Sequence, residues 1–208
     1  MFSYQIIVKY LILTTMKQFY IIITGLLSCF ASFAQNTWTI DNAHSNIRFE
    51  VGWEDFSIRT GEFKVFEGNI VTNSKYDLTN ATFYLKVDPK SIDVIADDLS
   101  EQLKGERFLD AEKYPEITYS STGAKAISDS TFISKGKLNI HGVVKDQDVL
   151  IWFKGHKPGR RGEMLGIEVS LTINRKDFGL EWGSPRLGDT VKIVGYLLYQ
   201  MKIEEKKE

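Results

Sequence analysis

The sequence predicts an all-β fold of about eight antiparallel strands with one amphipathic helix, and three observations lead there. Apolar and polar residues alternate with a period of two along most of the chain, one stretch repeats at helical spacing, and the part after an apolar N-terminal leader has single-domain length. Ile47, Phe49 and Val51 alternate with Asn46, Arg48 and Glu50, so one face of that segment is apolar and the other polar. Phe83, Leu85 and Val87 do the same against Thr82, Tyr84 and Lys86. The alternation returns at Val149, Ile151 and Phe153, at Ile167, Val169, Leu171 and Ile173, and at Val191 and Ile193, with a shorter run at Leu138 and Ile140. Further strands fit around Phe63 to Ile70, Ile117 to Ser121 and Phe132 to Lys135. Strands patterned in this way bury one face only, which is the habit of antiparallel sheets.

The helix is expected over Asp98 to Asp110, where Leu99, Leu103 and Leu109 recur with Phe108 beside them and Asp98 with Glu101 forms a capping box. Tyr114-Pro115 should end it, because the residue before a proline is pushed out of the helical region. Gly155 to Gly162, with Pro158 inside, reads as a long hairpin tip. Period alone leaves a closed barrel and a two-sheet sandwich equally open.

The leader stands apart from this pattern. From Met16 a lysine precedes the apolar run Phe19 to Leu27, and Ser32-Phe33-Ala34 offers small residues where a signal peptidase cuts, so residues 1–34 read as an extension plus signal peptide and 35–208 as one domain. Cleavage near Ala34 would make the protein periplasmic or secreted and remove Cys29, the lone cysteine. The alternative is a lipoprotein anchored through Cys29, after Leu26-Leu27-Ser28. With 26 Lys+Arg against 27 Asp+Glu, no nucleic-acid partner held by bulk positive charge is expected. One cysteine excludes a disulfide scaffold or a multi-cysteine metal site.

Six landmarks follow one another: Asp41-Asn42-Ala43-His44-Ser45; Gly61-Glu62-Phe63 with Phe66-Glu67-Gly68; Ser91-Ile92-Asp93; Phe108 to Ile117; Gly136 to Val143; and Asn174 to Gly179. Their order and spacing resembles the YceI-like family of exported, lipocalin-like proteins over Trp38 to Ile203. The resemblance implies an eight-stranded antiparallel barrel, a helix packed near it, and an elongated apolar cavity for a polyisoprenoid or similar long-chain lipid. It implies no catalysis, no metal and no cofactor apart from the bound lipid, and it implies a homodimer. The sequence departs from the family pattern at Trp53, where many members carry histidine, and at Leu99, Ser100 and Gln102, where an Arg-Asp-x-His run is common; both changes remove polar groups.

On that reading the inward residues of the strands are the ligand wall: Phe49, Val51, Phe63, Phe83, Leu85, Ile117, Tyr119, Ile140, Ile151, Phe153, Val169, Leu171 and Ile193, with Trp53 and Trp182 at the barrel mouth. Each is also what a packed core uses, and the rival reading is a structural or interaction module whose barrel is filled by its own side chains. His44 beside Ser45 lacks a third group at useful spacing, and His44, His141 and His156 are too scattered for a local metal motif. Structural hydrogen bonds are expected of His44 and His141. Asp41 and Asp189 read as turn or strand-end residues, and Arg175 and Asp177 as an ion pair within a hairpin or a tie between strands. The basic cluster His156, Lys157, Arg160 and Arg161 suits either a solvated tip or transient contact with an anionic membrane surface.

Overall fold

The computed structural model describes residues 35–160 and 162–202. The proposed signal peptide, its cleavage point, the Cys29 anchor, the side chain of Arg161 and the charged end at 204–208 all lie outside the described residues.

The described residues form eleven strands: β1 (Asn36–Ile40), β2 (Asn46–Trp53), β3 (Ser57–Phe63), β4 (Phe66–Thr72), β5 (Thr82–Val87), β6 (Ile92–Val94), β7 (Ile117–Ala126), β8 (Thr131–Ile140), β9 (Val143–Gly159), β10 (Gly162–Asn174) and β11 (Leu187–Lys202). The one α-helix among them, α1, spans Asp97–Lys104. Every pairing is antiparallel, and β1-β4-β5-β7-β8-β9-β10-β11 closes into a ring of eight when β11 returns to β1 through Thr39–Gln200 and Ile40–Tyr199. Beyond that closure β11 leaves β1 and pairs with β2, which carries β3 and β6. β1 with β2, and β3 with β4, are thus two bent strands of a single hairpin, interrupted at 41–45 and at 64–65.

Local chemistry explains the interruptions. Asp41 turns its carboxylate back to accept from the Ala43 N–H at 3.1 Å, which caps a short 3-10 turn over Asn42–His44. The β8–β9 connection is the two-residue turn His141-Gly142 with both residues at positive φ (54° and 76°), the conformation that lets a hairpin follow the twist of its strands. The Tyr114 ring lies 2.6 Å from where a Cβ on Gly142 would stand, so glycine is needed there twice over.

Three expectations are corrected. α1 stops at Lys104, its N-cap is Ala96 without a side-chain hydrogen bond, and no Asp98–Glu101 capping box forms; Gly105 ends the helix well before Tyr114-Pro115. Leu109 instead follows a chain of turns, its N–H donating to the Leu103 carbonyl at 3.1 Å. The Gly155–Gly162 segment is not a long tip, since the β9–β10 ladder continues to Gly159 opposite Gly162 and absorbs one residue as a bulge near Gly166. Phe132–Lys135 and Leu138–Ile140 are one strand rather than two.

The core is densest at one end of the ring. Trp38, Ile70, Leu78 and Leu165 are completely buried there, and the Trp38 indole N–H reaches the buried Thr72 hydroxyl at 3.3 Å. The opposite end, where β2, β3 and β6 splay from β11, carries α1 and the 175–187 connection.

Candidate functional site: an apolar tunnel with one mouth

The strand faces that point inward do not meet. They surround a cavity of about 210 Å³ that runs from the Leu197 and Tyr199 side chains, beneath which the Trp38 end is packed, to Leu103, Phe108, Leu109, Leu180 and Leu187 at the splayed end. The strands supply its walls because residues two apart share a face. Gly61 sits on that face where the Phe49 ring and Val94 occupy the place of a Cβ, so the phenyl can lie flat against β3 without closing the tunnel.

The walls carry little polarity. Tyr119 is satisfied within the wall, its hydroxyl bonded to Ser134 Oγ at 3.0 Å and donating to the Ser134 carbonyl at 3.1 Å, and burial raises its pKa. Burial pushes the Tyr199 phenol further up, so it too stays neutral. Arg175 is the one charged lining residue, yet its guanidinium is spent on the chain. It is 4% exposed and donates to the carbonyls of Leu180, Trp182 (2.9 Å), Leu187 (3.0 Å) and Gly188 (2.8 Å), to Ser184 Oγ (2.8 Å) and to Asp189 (3.3 Å). One buried side chain therefore fastens the whole 180–189 segment over the mouth. Asp189 in turn is held below the usual carboxylate range, chiefly by hydrogen bonding to Lys176, with Ser184 and Arg175 adding to it.

Two tryptophans stand at the rim, each faced by arginine. The Trp53 ring has Arg59 at 5.1 Å and Arg186 at 5.0 Å; Trp182 packs edge-on to Phe108 at 4.8 Å with Arg107 at 6.0 Å.

Of the residues named from sequence, Phe49, Val51, Phe63, Phe83, Leu85, Ile117, Tyr119, Ile140, Ile151, Val169, Leu171 and Ile193 line the tunnel. Trp53, Phe153 and Trp182 do not. Phe153, opposite Ile167 and just before the β9 bulge, packs against the core near His156 at 6.2 Å, and the two indoles stop at the rim. Ile47, Leu138, Val149, Ile167 and Ile173 also line it and were within reach, because they share the phase of the residues named. Leu103, Phe108, Leu109, Leu180 and Leu187 come from the helix, turns and mouth segment, where no strand period marks them.

The polar landmarks are structural. His44 bonds Asp41 at 3.0 Å, and Ser45 Oγ donates to the Asp41 carbonyl (2.7 Å) while accepting from the Leu198 N–H (2.9 Å), which ties β2 to β11. His141 packs on Tyr114 (4.3 Å), and His156 stacks on Tyr76 (3.6 Å), which takes it out of the expected basic cluster. Arg175 and Asp177 do not pair: Arg175 turns to Asp189, and Asp177 faces Lys145 at 3.7 Å. A second recess of about 630 Å³ beside the β9–β10 turn is larger but polar, lined by Asp41, His44, Arg160, Glu163 and Gln200, with Asp41 holding His44 and Gln200 and Glu163 holding Lys75 at 3.0 Å. The apolar tunnel is the better binding candidate, since enclosure by dry walls counts for more than volume. Among the described residues no group of three or more His, Cys, Asp and Glu is placed to hold a metal, and no helix is long and apolar enough to cross a membrane.

A closed eight-stranded antiparallel barrel around an apolar tunnel, whose one charged lining residue is spent on the chain itself, defines a binding-type barrel. The chain belongs to the YceI-like family, whose domain model matches residues 38–197. Among curated relatives it is 29% identical over 144 residues to a UPF0312 protein of Pseudomonas putida (strain W619), covering 68% of this chain and 73% of that one. Among solved structures it is similar to Burkholderia cenocepacia BcnA (TM-score 0.67, 22% identity, 76% of this chain and 98% of that one). It is also similar to a polyisoprenoid binding domain from Saccharophagus degradans implicated in plant cell wall breakdown (TM-score 0.62, 15% identity, 79% and 98%).

Proposed function

We propose that the protein is an exported, non-enzymatic carrier that holds a polyisoprenoid or similar long apolar chain in the tunnel, with no metal or redox cofactor. The observation that carries this reading is the tunnel itself: apolar walls and neutral phenols, with Arg175, the one buried cation among the described residues, committed to the 180–189 segment. Each methylene drawn from water into such a space gains about 0.8 kcal/mol, so a few isoprene units suffice for binding without any polar contact. The same open volume weighs against the rival, a barrel filled by its own side chains. The polyisoprenoid binding domain among its structural relatives supports the choice of ligand. Export rests on the leader, with cleavage near Ala34 or anchoring through Cys29. Transient contact with a membrane surface falls to the splayed end, where Phe56, Ile58 and Ile95 stand exposed.

Native mass spectrometry of the full chain, purified from the compartment that receives it, tests the proposal once the bound material is extracted and identified. One polyprenyl or quinone-like lipid per barrel is the expected result. A bare mass that also takes up no added isoprenoid overturns it.

A further inference from the structure

Two buried phenols line the tunnel, and they are not alike. Tyr119, on β7, spends its hydroxyl on Ser134, bonding the Oγ at 3.0 Å and donating to the carbonyl at 3.1 Å. Tyr199, on β11 at the inner end of the tunnel, is 2% exposed, and its hydroxyl makes no hydrogen bond among the described residues. Its neighbours explain the lack. Cross-strand register sets Tyr199 between Ile40 on β1 and Leu165 on β10, and Leu197 shares its face two residues away. All three are hydrocarbons and offer no acceptor.

The hydroxyl is not sealed in either. Among the described residues the side-chain atoms left unpartnered with no open space beside them are Asn46 Oδ1, Asn139 Oδ1 and Glu163 Oε2, and the Tyr199 Oη is not one of them. It lacks a partner yet keeps open space, and the space that Tyr199 borders is the tunnel. Phenylalanine would fill the same place at no polar cost. A buried hydroxyl without a partner has given up its hydration for nothing in return, and native interiors seldom keep one that has no role.

A partner for this hydroxyl has to arrive with the occupant, and it has to be neutral. Arg175, the one charged lining residue, is spent on the 180–189 segment at the other end, so a charged group at the inner end would lose its hydration without a counter-ion. We propose that Tyr199 is a polar subsite at the inner end of the tunnel, donating its hydroxyl hydrogen to an uncharged oxygen acceptor, a carbonyl or hydroxyl, at the inner tip of the bound chain. The proposal rests on the reading of the tunnel as a site for an apolar chain. An ordered water bonded to Tyr199 is the competing partner.

Farnesylacetone and farnesene test it on the full chain, since these isoprenoids differ chiefly in the methyl ketone that ends the first. Tyr199→Phe removes only the hydroxyl. Affinity for the ketone should then fall about fivefold or more, while that for farnesene stays within about twofold. The infrared carbonyl stretch of the bound ketone should lie below its position in hexane in the wild type and return to that position in the variant. If either the ketone's affinity or its stretch ignores the substitution, the proposal is overturned and the tunnel reading stands: a stretch at its position in water puts the carbonyl at the mouth, and one at the hexane position in both proteins leaves Tyr199 to a water. Binding of neither ligand overturns both. Without ligand, Tyr199→Phe should unfold in urea at the wild-type midpoint; a marked loss of stability shows that the hydroxyl is already bonded within the wall, and likewise overturns the proposal.

Discussion

The two ends of the barrel are made from the same alternating strands and finish in opposite ways. At the closed end β1 seals the ring, and Trp38, Ile70, Leu78 and Leu165 fill it without residual exposure. At the mouth β11 has exchanged β1 for β2, its register slips between Leu187 and Val191, and the 180–189 segment is held by hydrogen bonds to one buried arginine. Packing closes the first end and hydrogen bonding shapes the second. Packed cores resist opening, whereas loops supported by a few polar contacts open at lower cost, so a tunnel between such ends loads from one side.

Substitutions at each end sharpen that contrast, beginning with the largest effect. Trp38→Ala should cost about 3–5 kcal/mol, the usual range for removing a large buried aromatic, read by equilibrium urea unfolding. Arg175→Met should cost about 3 kcal/mol, because several buried acceptors lose their donor at once. Hydrogen exchange should then rise over 180–188 and stay slow in β1 and β4; uniform acceleration would dissolve the distinction between the ends. Leu171→Trp should place an indole in the tunnel and reduce uptake of a prenyl chain at least tenfold by fluorescence titration, at a stability cost of about 1–3 kcal/mol from overpacking. Unchanged uptake would move the binding site out of the tunnel.

The smallest effect is on acid stability. Burial raises the pKa of Asp41, but hydrogen bonds from His44, Ala43 and Gln200 outweigh it and leave the group lowered; Asp189 is lowered chiefly by Lys176. Carboxylates depressed in the folded state stabilise it above their unfolded pKa, and that contribution disappears as pH falls through the folded values. Both ends should therefore loosen below about pH 4. Asp189→Asn should remove the mouth's share, seen as a flatter acid limb in the exchange of residues 180–188, and leave that of Asp41 in place.

Much of the wall was legible from pattern. Phe49 and Val51, or Val169 and Leu171, reveal their shared face because a strand returns to the same side every second residue. The same rule overreached at Phe153, which keeps the face of Ile151 and stands opposite Ile167, but packs against the core near His156 instead of bordering the tunnel; alternation gives the face and not the depth along the barrel. The helix was overextended because Leu109 keeps helical spacing with the earlier leucines although Gly105 has already ended the turn. Trp53 and Trp182, expected at the mouth from their amphipathic rings, stand at the rim outside the tunnel lining.

The sequence by itself determined the antiparallel strands, their buried faces, the helix near residue 100 and the family, since each depends on spacing that a linear chain displays. Only the tertiary structure decided that the ring closes through β1 and β11, that the interior stays open, and that Arg175 is a fastener. Whether inward side chains meet across a barrel, and which carbonyls reach a buried guanidinium, depend on distances between residues far apart in the chain, and no local pattern encodes those.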